Sequence, residues 1–268
     1  MRIYASIAWR LADGAMLVLA SLPCWADPVP GNARVVRLIG QVQFTSGQTG
    51  EQLLHVGDVL APGTAVRTSS SGASADLLLL EAPTTVSAIQ ADDTASPTLV
   101  VEQNVVRLGP DSELVIHRLT STETGIDRVT DTRLDLKQGY LFAVVKRSTG
   151  ASVFEVNVPD STVNVSSGVF DISSGNQTVR LLNGGLTLGW PDSKTGELTT
   201  QAISSGQQIN ARNRQVTALT PAEKQALESL HRSVRVMMAS TPFVIKANCT
   251  LDPVTPVHPP HPPHPPHP

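Results

Sequence analysis

The chain has 268 residues, 40% of them hydrophobic, 16% charged and 4% aromatic, with a formal net charge of -3, which is enough for one large domain or two small ones. The 20 Lys and Arg are balanced by 23 Asp and Glu and form no basic run, which argues against nucleic acid as the main partner. Two cysteines, Cys24 and Cys249, sit at opposite ends of the chain and exclude a small disulfide-stapled fold.

Residues 1–26 place Arg2 and Arg10 ahead of a short apolar run that ends at Leu22-Pro23. This is the layout of a signal peptide, and the run is too short to cross a bilayer. Cys24 and Ala26 supply small residues at the -3 and -1 positions, so cleavage is expected after Ala26, with Asp27 as the first mature residue. A lipoprotein signal would need a small residue before Cys24, where Pro23 stands, and an aliphatic one at Ser21. No later stretch is long and apolar enough for a membrane span, so a periplasmic or secreted protein with no transmembrane segment in its mature chain is expected. Cys249 would remain there as a single thiol, read first as inert.

From residue 31 to 219 short alternating segments succeed one another. In SVFEVNV, Phe154, Val156 and Val158 alternate with Val153, Glu155 and Asn157, which is the period of a strand with one buried face. The same period recurs in Leu134/Leu136, Leu141/Ala143/Val145, Val163/Val165, Phe170/Ile172, Val179/Leu181 and Leu186/Leu188/Trp190. Turn-forming pairs punctuate them, among them Gln138-Gly139, Pro159-Asp160, Ser167-Gly168, Asn183-Gly184-Gly185 and Ser205-Gly206. The pattern predicts an all-β domain of stacked short strands, either a β-roll or solenoid-like stack or a sandwich. A polar insertion at residues 81–98 reads as a surface loop.

Thr220-Pro221-Ala222-Glu223 then opens a helix over residues 220–240 with a capping box and Pro at its first position. Leu227, Leu230, Val234 and Met237 line one face of it. That stripe either docks on the β domain or forms a partner-binding surface, and Met238 and Phe243 would extend it. Residues 251–268 form a Pro- and His-rich tail in which Pro supplies 9 of the last 16 residues, so a disordered, polyproline II-like segment is expected. His258, His261, His264 and His267 lie on one edge of it as candidate metal ligands. At three residues per turn they stand roughly 9 Å apart, too far to share one ion bound at about 2.0–2.1 Å. A stiff spacer with weak single-nitrogen sites is expected.

Catalytic chemistry has little footing. The histidines outside the tail, His55, His117 and His231, do not recur at metal-ligand spacing, and no G-x-S-x-G motif is present. Asp92-Asp93 are adjacent in a polar loop without an evident partner. No cofactor is expected, and the chain is read as non-enzymatic.

The order of segments over residues 34–211 resembles the FecR-like domain, the periplasmic module of ferric-citrate-type regulators. The resemblance is carried by VVRLIGQVQF, HVGDVLAPGTAVRTSSSGASADLLLL and NVVRLGPDSELVI, followed by LDLKQGYLFAVV, FEVNVPDSTVNVSSGVFDI, TVRLLNGGLTL and SSGQQI. It implies an envelope protein-interaction or signalling module with an unidentified envelope protein as partner, bound through an unpaired strand edge or the helix. Ser167-Gly168-Val169 stands where the family usually has a Gly-Thr pair, and the insertion at 81–98 separates strands that are normally joined closely. The anti-sigma segment and membrane helix that precede this domain in the regulators have no counterpart here, so signalling across the membrane is not expected to carry over. The alternative is an envelope glycan-binding or structural protein, for which Trp190 would be the exposed stacking residue.

Overall fold

A computed structural model describes residues 27–47, 50–70, 72–80, 104–124, 127–146, 149–191 and 195–240. The expected signal peptide, the 81–98 insertion, Cys24, Cys249, Phe243 and the four tail histidines lie outside the described residues. In chain order the strands are β1 (Val29–Pro30), β2 (Asn32–Ile39), β3 (Val42–Ser46), β4 (Gln52–Leu53), β5 (Val59–Leu60), β6 (Thr64–Thr68), β7 (Ser74–Leu80) and β8 (Asn104–Leu108). They continue as β9 (Glu113–Glu123), β10 (Arg128–Gln138), β11 (Tyr140–Val145), β12 (Val153–Val158), β13 (Ser161–Ser173) and β14 (Thr178–Pro191). The last are β15 (Leu198–Ser204), β16 (Gln207–Asn210) and β17 (Gln215–Ala218), before the helix α1 (Pro221–Ser240).

Strand pairing builds one curled sheet folded into two facing layers. The first runs β5-β2-β7-β8-β11-β13-β14-β16-β17. The second runs β4-β3-β6-β9-β10-β12-β13-β14-β15, with β1 also beside β9. All pairs are antiparallel except β10 with β12. Strands β13 and β14 belong to both layers: their outer halves pair with β12 and β15, their inner halves with β11 and β16. Among the described residues the curl leaves β5 and β17 at the edges of the first layer and β4 and β15 at those of the second.

The bend in this long hairpin explains a departure from the sequence expectation. Ser167-Gly168 and Asn183-Gly184-Gly185 read as turns, yet they lie inside β13 and β14, where Gly168 faces Gly184 and the register shifts on either side. A Cβ on Gly168 would sit 2.0 Å from the Asn183 carbonyl oxygen, and one on Gly184 2.0 Å from that of Ser167. Facing glycines therefore let two backbones cross from one layer to the other at a separation no side chain allows. The Gln138-Gly139 turn occurs as expected, with Gly139 at φ +89°. It joins the layers beside Ser112, whose Oγ accepts the Tyr140 amide at 2.8 Å.

Between the layers lies the main core. Leu77, Leu79, Val106, Leu108, Leu141, Phe170, Ile172, Val179 and Leu181 come from the first layer, and Leu114, Leu134, Leu136, Phe154, Val156, Val163, Leu186 and Leu188 from the second. In the second layer these residues alternate mainly with polar ones, as period two requires of a strand with one buried face, whereas in β7, β8 and β11 they alternate with further apolar residues such as Leu78, Val105 and Phe142 on the opposite face. Phe154 and Phe170 meet edge-on across it, with ring centroids 6.4 Å apart at 83°, a favourable quadrupolar arrangement. The outer face of the second layer is polar, with ion pairs such as Arg118–Asp131 and Arg133–Asp131. The first layer has an apolar outer face as well, and α1 covers it.

Candidate functional site

The helix begins as its sequence requires. Glu223 accepts the Thr220 amide at 2.8 Å and donates its own amide to Thr220 Oγ1 at 3.3 Å, closing the capping box. Hydrogen bonds from the Thr220 amide, and next from its hydroxyl, hold the Glu223 carboxyl below its ordinary pKa. Leu227, Val234 and Met237 are buried and Leu230 half-buried in a second apolar cluster with Val36, Leu78, Val105, Phe142 and Val169. The stripe singled out for partner binding is thus docked on the chain's own first layer, where each fully buried aliphatic side chain contributes about 1.5–3 kcal/mol. Met238 flanks the same cluster.

A cross-strand row rich in charge, one residue per strand, runs beneath the helix. In register, Arg37, Asp76, Arg107, Phe142, Asp171, Arg180 and Gln208 face one another across six neighbouring pairs. Asp76 is enclosed by two cations: Arg37 Nε stands 2.8 Å from Oδ2, and Arg107 grips both oxygens, with Nη2 donating at 2.8 Å. Arg107 Nη1 also donates to Ser233 Oγ of the helix at 2.6 Å. Asp171 accepts Arg180 Nε at 2.9 Å and the Tyr140 hydroxyl at 2.6 Å. Burial, reinforced by the Asp171 charge, pushes the Tyr140 phenol far above its ordinary pKa. The hydrogen bond to Asp171 likewise raises that of the Arg180 guanidinium. At the end of the row Gln208 Nε2 donates to Glu223 at 3.2 Å, tying sheet to helix cap.

Every carboxylate in this row has bidentate or multiple donors, so it orients the helix and offers no free base or nucleophile. Sequence reasoning passed over these residues. Their signal was a charge inside an apolar strand in ADLLLL, VVRL, VFDI and TVRLL, which is costly unless the charge is paired.

The remaining candidates are placed apart. His55 and His117 are exposed, and His231 is half-buried on the helix, where burial and then Arg235 lower its pKa. Among the described residues no group of three or more His, Cys, Asp or Glu could hold a metal ion, and no described helix is long and apolar enough to cross a membrane. Trp190 is buried at the end of the core with Arg214 stacked over it at 5.1 Å, so its ring is not an exposed stacking platform.

What stays open is one side of the second layer. Among the described residues strand β15 pairs with β14 alone, and all of it except Ile203 is exposed, Leu198 to 70%. Beside it a groove opens where β13 and β14 bend away. Its floor is the buried cross-strand row Val165, Leu186 and Ile203 with neighbouring Phe154, all part of the main core, and its polar rim includes Ser152, Asn164, Ser166 and Thr187. A free strand edge flanked by an apolar row is the geometry that accepts an added strand. Sequence reasoning expected an unpaired edge but did not locate it, because only the pairing partners reveal which strand is last.

No family model matches the chain, and no curated protein matches it. Two crystal structures of a "putative anti-sigma factor" from Parabacteroides distasonis are similar to it at 17% and 16% identity, each with a TM-score of 0.34. The matched region covers 47% of this chain and 55% and 56% of theirs, so the chain spans about half the length of those structures.

Proposed function

We propose that the chain is an exported, non-enzymatic FecR-like module of the cell envelope, periplasmic or secreted, that works by binding a protein through the β15 edge. The observation that carries this reading is the exposed seven-residue edge strand beside the apolar row ending at Ile203. The helix stripe is occupied by the first layer, which favours the edge over the helix as the binding element. The signal-peptide layout of residues 1–26 supports export, and the order of strands and glycines supports the family.

Leu198 on β15 and Val236 on the outer side of α1 are similarly exposed, at 70% and 63%, so they make a matched pair of probes. A photo-crosslinking residue at each position, activated in intact cells, is expected to capture protein from position 198 and not from 236. Capture from 236 alone, or from neither, contradicts the reading. Export is tested in the same preparation, where the intact mass should correspond to a chain beginning at Asp27.

A further inference from the structure

We propose that the strand accepted by β15 is the β15 of a second copy of this chain, paired antiparallel about a twofold axis at Thr200. This rests on the edge-binding reading above and names the occupant of that edge. Among the described edge strands β4 and β5 have two residues each and β17 four, whereas β15 has seven. Edges are ordinarily guarded by charge, proline, a bulge or shortness. Strand β15, LTTQAIS, carries no charge and no proline, and its register with β14 is continuous over all seven residues.

The direction of its free backbone groups follows from two side-chain contacts. The Ser204 amide donates to Gln207 Oε1 at 2.9 Å, and the Ala202 carbonyl accepts Gln201 Nε2 at 3.1 Å. Both groups therefore point away from β14. Because a residue in an antiparallel strand turns its N–H and C=O to the same side, residues 198, 200, 202 and 204 present their main chain outward. Pairing about Thr200 sets Leu198 opposite Ala202 of the second copy, Thr200 opposite Thr200, and Thr199 opposite Gln201. The outward groups of residues 198, 200 and 202 then form hydrogen-bonded pairs, giving about six bonds, while Ser204 keeps its contact with Gln207.

The side chains agree with this register. Leu198 and Thr200 lie together over Gly189, 3.4 and 3.8 Å from the point where its Cβ would be, leaving a low, even surface on that face. Exposed Leu198 meets the methyl of Ala202, and threonine meets threonine, a favoured cross-strand pair. Neutrality is the argument for a second copy. About a twofold axis any charge at Thr200 would confront itself, whereas an edge built for a charged partner would carry the opposite charge. An overlap of five residues is small, so the association should be reversible and weak.

Sedimentation of the purified chain across the micromolar range is expected to show a monomer–dimer equilibrium. Thr200→Lys and Thr200→Glu should each weaken it more than about tenfold, while circular dichroism and thermal midpoint stay near wild type because residue 200 is exposed on an edge. An equimolar mixture of the two variants should restore the dimer, because Lys then faces Glu at the axis. A monomer throughout the range, a dimer indifferent to Thr200→Lys, or a mixture that fails to associate overturns self-pairing. If the chain is monomeric while crosslinking from position 198 still captures protein, the edge reading stands and only the identity of its occupant is refuted.

Discussion

Replacing Phe154 and Phe170 by Ala, singly and together, tests the two-layer packing. Phe154 comes from β12 in the second layer and is 4% exposed; Phe170 comes from the first-layer half of β13 and is fully buried. Each truncation removes a ring from a dense core and should destabilise by about 3–5 kcal/mol through lost transfer energy and the cavity left behind. For a domain of this size that corresponds to roughly 6–20 °C in thermal midpoint. The rings meet edge-on at 6.4 Å, so the double variant should lose less than the sum of the singles by about 0.5–1.5 kcal/mol. Urea unfolding monitored by circular dichroism supplies the three free energies. Strict additivity would mean the two rings do not touch, and near-wild-type stability of either single variant would place that ring outside the core.

Gly184→Ala should destabilise by about 3 kcal/mol or more, because its Cβ would meet the Ser167 backbone at φ +101°; a thermal melt checks this, and a neutral effect would mean the bend relaxes freely. Tyr140 has its folded pKa raised above the unfolded value of about 10, so its contribution to stability is complete below that pH and is lost as pH rises past it. Wild type should therefore lose stability above pH ~10 more steeply than Tyr140→Phe in urea titrations, and parallel slopes would contradict the burial of the phenol. In the tail, zinc titration of the whole chain against a chain ending at Pro256 should show only weak added binding. Tight uptake by the monomer would show that the spacing argument for His258, His261, His264 and His267 fails.

Much of the fold was legible because its segments are locally consistent. Phe154, Val156, Val163, Val165, Phe170, Ile172, Leu181 and Leu188, all marked by period two, are buried in one core. The capping box at Thr220 and the stripe on α1 appear where their spacing puts them. Alternation says that a segment has two unlike faces, but not which layer it joins, so the parallel β10–β12 pair and the passage of β13 and β14 through both layers had no local sign. Gly168 and Gly184 mark turns by local rules, but inside the β13–β14 hairpin they permit both a positive φ and the close approach of two strands. The row from Arg37 to Gln208 depends on six strand registers at once, and no single segment encodes it. The β15 edge is equally non-local, since LTTQAIS is an ordinary strand until its neighbours are known.

Amide hydrogen exchange on the assembled and dissociated protein tests most directly whether the β15 edge is the binding surface. The outward amides of Leu198 and Thr200 should exchange rapidly when dissociated and gain protection on assembly, while the amides of α1 exchange at the same rate in both states. Unchanged exchange at Leu198 and Thr200, with new protection along α1, would assign the interface to the helix and contradict the account.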